Sequence, residues 1–198
     1  AAAAWLVARW RGPGRTAIDI LIMLPWALPG TVIGVNLIAA FNEPQPSNLG
    51  LTLVGTLWIL PVAYFVRYVP LVFRSTGASL DQMSPSLEEA AANLGAGPSR
   101  VLRTVTLPLV ARGVFAGALL AFVDGVGEYV ASVVIYPAGL APMSVEIYNR
   151  IYSSQFGSAA AYGSLQIVLI LVVLVISNRL QSGRRRGAST ELTTVPVT

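Results

Sequence analysis

Apolar and polar positions divide the chain into four apolar runs, at residues 17–41, 51–66, 109–136 and 159–177, and one long polar island at residues 75–108. A helix needs about 20 apolar residues to cross a hydrocarbon core about 30 Å thick, so the runs predict four membrane spans with the island as a loop between the second and third. Pro25 and Pro29 interrupt the first run. Either neighbouring helices absorb these breaks, or the segment from Leu24 to Gly30 hinges beside a pathway. Residues 42–50, rich in Pro, Asn and Ser and without arginine, predict a short external loop. The second run closes on Arg67, Tyr68 and Arg74, an aromatic and basic boundary suited to cytoplasmic headgroups.

Within the island, Ser84 and Pro85, or Ser86 and Glu89 as a capping box, predict a helix start. Leu87, Ala90, Ala91 and Leu94 then share one face. Gly95 and Gly97 stand where that helix ends, and Pro98 is suited to open a second helix carrying Arg100 and Arg103 one turn apart. The pattern is helix, turn, helix.

The third run contains Asp124 and Glu128, four residues apart and therefore on one face of a continuous helix, with Gly125 and Gly127 between them. A carboxylate near the centre of a membrane helix costs about 3 kcal/mol. Two environments relieve that cost: the external headgroup layer, or a water-filled pathway. No arginine follows Arg112 in this run, which favours the pathway for both residues. In residues 137–158, Val145, Ile147, Ile151 and Tyr152 would line one side of a short external surface helix, and residues from about 183 to 198 read as a disordered tail.

Composition narrows the reading further. The 198 residues are 55% hydrophobic and only 11% charged, well below the quarter typical of soluble domains. The fold class is therefore all-α, a polytopic transmembrane helical bundle with a cytoplasmic helix-turn-helix loop, in one domain without tandem repeats. The formal charge of +4 comes from arginine alone, because lysine, cysteine and histidine are all absent. Without lysine there is no Walker A phosphate loop, so ATP hydrolysis belongs to another chain. Of 13 basic residues, all arginines, eleven fall on the side shared by both ends and the island, and Arg150 is the one clearly external arginine. The positive-inside rule makes that side cytoplasmic, which accounts for the basic balance without nucleic acid. The opening Ala1 to Ala8 reads as the tail of a truncated helix, so the 198 residues are expected to be the C-terminal part of a longer chain.

The island resembles the coupling loop of binding-protein-dependent ABC importer permeases, the MetI-like inner-membrane components. The family pattern is Glu-Ala-Ala, three residues, Gly, nine residues, Ile, one residue, Leu-Pro. It is met by Glu89-Ala90-Ala91, Gly95, Val105 in place of isoleucine, and Leu107-Pro108. The resemblance implies a permease subunit in a bacterial inner membrane, itself no enzyme, binding no cofactor and no metal. A partner ATPase would use ATP and Mg. The other implied partners are an extracytoplasmic solute-binding protein, a second permease half or copy, and membrane lipid.

Glu88, Glu89, Ala90, Ala91, Gly95, Leu107 and Pro108 would then form the ATPase-coupling loop, with Glu89 among basic groups of the ATPase groove; the other reading of Glu89 is a carboxylate that only caps its own helix. Asp124 and Glu128 are the candidate pathway-lining residues. Residues 124–136 and 143–148 look most like the ferric-iron branch, with thiamine, polyamine and phosphonate permeases as alternatives. Two other classes remain at this point. Ala91, Gly95 and Val101 have the spacing of a DNA-binding helix-turn-helix, and an ion channel or ion-coupled carrier would use Asp124 and Glu128 to bind its ion.

The arginine distribution makes a direct prediction. In a chain without native cysteine, single cysteines at positions 47 and 154 should react with an impermeant thiol reagent from outside, and one at position 95 only after the membrane is opened. External reaction at position 95 would invert the topology.

Overall fold

The computed structural model describes Ala4 and residues 13–190, with side chains through residue 179. Among the described residues there are eight α-helices and no strands. They are α1 (Arg15–Ala27), α2 (Gly30–Phe41), α3 (Ile59–Asp81), α4 (Ser86–Asn93), α5 (Pro98–Val126), α6 (Ser132–Ile135), α7 (Met143–Tyr152) and α8 (Phe156–Thr190).

The first apolar run is not one straight span. It breaks at Leu28 and Pro29, where α1 and α2 meet at 105°. Proline at position 29 drives the preceding residue to extended backbone, and Leu28 has ψ 141°. Pro25 stays inside α1, so Pro29 alone makes the sharp break. Residues 51–58, expected to begin the second span, are instead a turn whose Leu53 and Val54 amides bond to the Phe41 carbonyl. The helix starts at Ile59, with Pro61 harmless in its first turn, and continues past Arg74 to Asp81. Phe73, Thr76 and Leu80 explain this extension, because they keep one face buried at helical spacing.

The third span also differs from its expected bounds of 109–136. It begins inside the polar island at Pro98 and ends at Val126. Between Leu102 and Thr106 the helix widens into a π turn, and the Leu107 amide bonds five residues back to Leu102. Pro108, next in line, has no amide to give and its ring crowds the carbonyl four residues earlier, so a wider turn here relieves the ladder. Because this helix passes without a break into the apolar segment, it cannot be a solvated DNA-reading helix. The last helix, α8, runs on beyond the expected end at Ser177. Its backbone is helical to Thr190 where a disordered tail was expected from about 183, and the rest of that tail, 191–198, lies outside the described residues.

Two close approaches hold α3, α5 and α2 in place. A Cβ built on Gly113 would lie 2.8 Å from the Ser75 carbonyl and overlap Ser79 Oγ, and one on Gly117 would lie 2.7 Å from Val72 Cα. Gly113 and Gly117 form a small-xxx-small stripe on α5 against Ser75 and Ser79 of α3, which lets the backbones touch; Ser75 Oγ donates to the Gly113 carbonyl at 2.6 Å. Gly30 and Gly34 repeat the device on α2, under Val130 and Val134. Side chains fill the space on either side of these contacts. One cluster gathers Ile33, Leu37, Ile59, Leu60, Ala63 and Ile135, and a second Phe73, Leu80 and Val110. α8 is nearly uncovered, with 6% of its apolar window buried, as a helix facing lipid would be.

Replacing Gly117 with valine should destabilise the protein by about 2 kcal/mol, since the branched side chain meets α3 backbone that cannot retreat without separating the helices. Gly157→Ala, where nothing lies within 4 Å, serves as control. Thermal unfolding in detergent would compare the two; equal midpoints would show that the α3–α5 contact is not tight.

Candidate functional site

The polar island folds as the predicted elbow, although its helix start is different. Proline at position 85 is the N-cap of α4 and no side chain caps it; Ser84 and Ser86 bond to each other through their hydroxyls at 2.7 Å. Glu88, not Glu89, stands at the third helical position, so the capping box expected from Ser86 and Glu89 is absent. The end of α4 follows the glycine logic closely. Gly95 has φ +84°, its amide bonds to the Ala92 carbonyl, and the Ala96 amide bonds to that of Ala91. This is a Schellman stop, which needs the left-handed residue that glycine supplies. Gly97 is extended instead, at φ −67° and ψ 161°.

The elbow is tied to its root by one side-chain bond. Thr106, fully buried in the π turn, donates its hydroxyl to Glu88 Oε1 at 2.7 Å. The other residues of the motif face outward: Glu89, Ala90, Leu107 and Pro108 are exposed, and Ala91 is half-buried. Leu87 is 47% exposed and Leu94 89%, so these two leucines of the apolar face of α4 are uncovered among the described residues. Glu88 and Glu89 both lie in the first turn of α4, where the helix dipole favours negative charge.

Asp124 and Glu128 do not share a helical face. α5 ends at Val126 with Gly127 as its C-cap, and the chain beyond turns so that the two carboxylates part. Glu128 is buried, 6% exposed. Its Oε2 accepts from Arg67 Nε at 2.6 Å and from the Tyr68 hydroxyl at 2.6 Å, and its Oε1 accepts the Ala131 amide at 2.9 Å. The expectation that no arginine reaches this pair therefore fails for Glu128. Arg67 comes from α3, not from the third span, and it is not a headgroup-facing residue as the boundary reading had it.

Arg67 also donates from Nη1 to the Leu28 carbonyl at 3.3 Å, a group left without a helical partner by the α1–α2 break. The backbone of Glu128 is held as firmly as its side chain. Ser132 Oγ donates to the Glu128 carbonyl at 2.6 Å and Ser144 Oγ at 2.8 Å. With the one Ser132 proton so directed, the Tyr64 hydroxyl is the donor in its 2.8 Å contact with Ser132.

Asp124 is exposed on the last turn of α5, and its carboxylate has no hydrogen bond or ion pair among the described residues. It opens onto a cavity of about 310 Å³ whose wall includes Trp26, Arg67, Glu128 and Tyr129. Sequence reasoning missed Arg67 and Tyr68 as members of this site. Their positions three and four residues after Tyr64 were the available signal, because a span with an arginine inside it must find a counter-charge. In the surface helix α7, Val145 is buried and Ile147 half-buried, while Ile151 and Tyr152 face outward, so only half of the expected stripe is covered.

Removing one partner from a buried ion pair costs about 3–5 kcal/mol, more than the pair itself contributes. Arg67→Leu should therefore unfold at markedly lower denaturant than the wild type, and Arg67→Leu combined with Glu128→Leu should recover most of the loss. A double-mutant cycle on detergent-solubilised protein measures the coupling. Additive losses would mean that the two charges stabilise the fold independently.

Residues 1–186 match the family described as binding-protein-dependent transport system inner membrane component. A probable ABC transporter permease protein, y4fN, of Sinorhizobium fredii is 35% identical over 176 residues, covering 87% of this chain and 31% of its own length. The sulfate transport system permease protein CysT of Salmonella typhimurium is 33% identical over 194 residues, 92% of this chain and 69% of that protein. The ferric transport system permease protein FbpB of Actinobacillus pleuropneumoniae is 29% identical over 172 residues, covering 87% of this chain and 24% of its own. The chain thus spans about a third or less of two of these relatives. Among solved structures, the inward-facing MetNI methionine ABC transporter superposes with a TM-score of 0.72 at 19% identity, over 90% of this chain and 82% of that one. The chain belongs to the family of inner-membrane permease components of binding-protein-dependent transport systems, which are not themselves enzymes.

Proposed function

We propose that this chain is the membrane-spanning part of an ATP-driven importer, in which α4 docks on a separate ATPase subunit and α5 carries the resulting movement into the membrane. The observation that carries the reading is the elbow itself, a helix whose Leu87 and Leu94 are uncovered among the described residues yet which is anchored at both ends. The Schellman stop at Gly95 sets the angle between α4 and α5, and the bond from Thr106 to Glu88 ties the base of α4 to the π turn. A partner that holds Leu87 and Leu94 therefore pulls on α5 directly. Glu89, exposed and unpaired among the described residues, is free to meet a basic group of that partner.

In the same reading, an extracytoplasmic binding protein delivers the solute, a second permease half or copy completes the pore, and ATP with Mg is bound by the ATPase alone. Both ends and the elbow face the cytoplasm of a bacterial cell. The alginate transporter of known structure, crystallised with its periplasmic protein, has a similar fold at a TM-score of 0.67 and 18% identity, which makes such an arrangement structurally reasonable. Ferric iron, suggested by the resemblance of 124–136, has the FbpB relative in its favour and the CysT relative against it. The importer reading does not depend on that choice.

Glu89→Ala and Gly95→Pro should both abolish solute-stimulated ATP hydrolysis in reconstituted vesicles while the protein still inserts. Proline cannot adopt the φ of +84° found at position 95, so the second substitution breaks the elbow angle rather than the docking contact. Undiminished coupling in Glu89→Ala would remove the docking role from that carboxylate.

A further inference from the structure

The cavity beside the buried ion pair carries an excess of one negative charge. Its charged lining groups are Arg67, Glu128 and Asp124. Arg67 and Glu128 neutralise each other at 2.6 Å, and the guanidinium is further committed to the Leu28 carbonyl, which leaves Asp124 without a counter-charge among the described residues. The remaining polar lining offers little to an anion: the Tyr68 hydroxyl has one proton, and its 2.6 Å bond to Glu128 takes it.

Aromatic side chains share the cavity with the free carboxylate. Trp26, 64% exposed at the end of α1, and Tyr129 lie on the cavity wall. The ring of Tyr148 packs against Tyr129 with centroids 4.8 Å apart, and Tyr152 stacks on Tyr148 at 6.3 Å. Tyr152 is 82% exposed, so the three rings form a continuous aromatic track from the surface of α7 to the cavity. Aromatic faces attract cations through their negative quadrupole, and a carboxylate among them supplies the charge. Bare metal ions are a poor match, since hard cations take six or more oxygen ligands and no cluster of three or more His, Cys, Asp or Glu side chains is placed to hold one among the described residues.

We propose that this cavity is a way-station for an organic cation bearing an ammonium or guanidinium group, which enters along Tyr152, Tyr148 and Tyr129 and is held by Asp124 against Trp26. The proposal rests on the importer reading for its biological use, and it deepens that reading by naming the class of solute. It disfavours an oxyanion and an uncomplexed metal ion as cargo.

Trp26 provides the readout. With Trp5, Trp10 and Trp58 replaced by Phe, the full chain in phosphatidylcholine nanodiscs can be titrated with spermidine, tetramethylammonium or sodium sulfate while the Trp26 emission is followed. The two cations should produce a saturable change and sulfate none. Asp124→Asn, which removes a charge that makes no hydrogen bond or ion pair among the described residues, should raise the cation midpoints about tenfold, the effect of about 1.4 kcal/mol. Asp124→Glu should restore binding, and Tyr148→Ala should weaken it. Saturation by sulfate at concentrations equal to or below those of the cations would overturn the proposal. So would the lack of any saturable cation response, or midpoints unchanged in Asp124→Asn. Failure of the importer reading looks different: the ATPase subunit would not associate with the chain, and the Trp26 titration would be unaffected.

Discussion

The ion pair between Arg67 and Glu128 joins three parts of the chain that are far apart in sequence. Each charge would be costly alone in a low-dielectric setting, and each is made tolerable by the other together with neutral donors. Arg67 fixes the register of α3, Glu128 fixes the end of α5, and the second arm of the guanidinium reaches the carbonyl exposed by the break at Leu28. The break that Pro29 makes between α1 and α2, the early stop of α5 and the turn into α6 therefore meet at one polar node. The hydroxyls of Tyr64, Tyr68, Ser132 and Ser144 complete it, so that both carboxylate oxygens and the backbone carbonyl of Glu128 are satisfied.

Close backbone packing transmits that order along the bundle. In lipid, apolar side chains gain little by leaving one hydrocarbon environment for another, so helices hold together through shape and short polar contacts. The stripe of Gly113 and Gly117 on α5 gives α3 and α5 such a contact, and it lies between the polar node and the elbow. A displacement of α4 thus reaches Thr106 through Glu88, then α5 through the π turn, and then the α3 backbone through the glycines. The route ends beside the Asp124 cavity. Elbow and cavity are the two ends of one continuous helix, which is the mechanical link that the proposed importer reading would use.

Local chemistry was legible in the sequence wherever a few neighbouring residues suffice to decide the backbone. Glycine at position 95 and proline at position 98 announced a left-handed stop followed by a helix start, and the elbow has both. Pro25 and Pro29 together announced an interruption of the first run, but not that the second alone would make it. Apolar composition announced the helical, membrane-spanning class, and the Glu-Ala-Ala to Leu-Pro pattern the family. The bounds of the spans were less legible, because hydropathy marks what lipid tolerates and not where a helix ends. α3 continues through Thr76 and Asp81 because its buried face continues, and α5 ends at Val126 inside an apolar stretch.

What the sequence by itself determined, then, is the helical, membrane-spanning class, the helix-turn-helix elbow with its glycine-dependent turn and the kind of protein. Only the tertiary structure decided which charges meet. Along the chain Asp124 and Glu128 look equivalent, since spacing alone puts them on one face and says nothing of other helices. In the fold a single arginine 61 positions before Glu128 reaches one carboxylate and not the other, because α5 stops between them and turns Glu128 inward. Pairing across helices depends on the distance between side chains brought together by packing, and no spacing rule within one segment contains that distance.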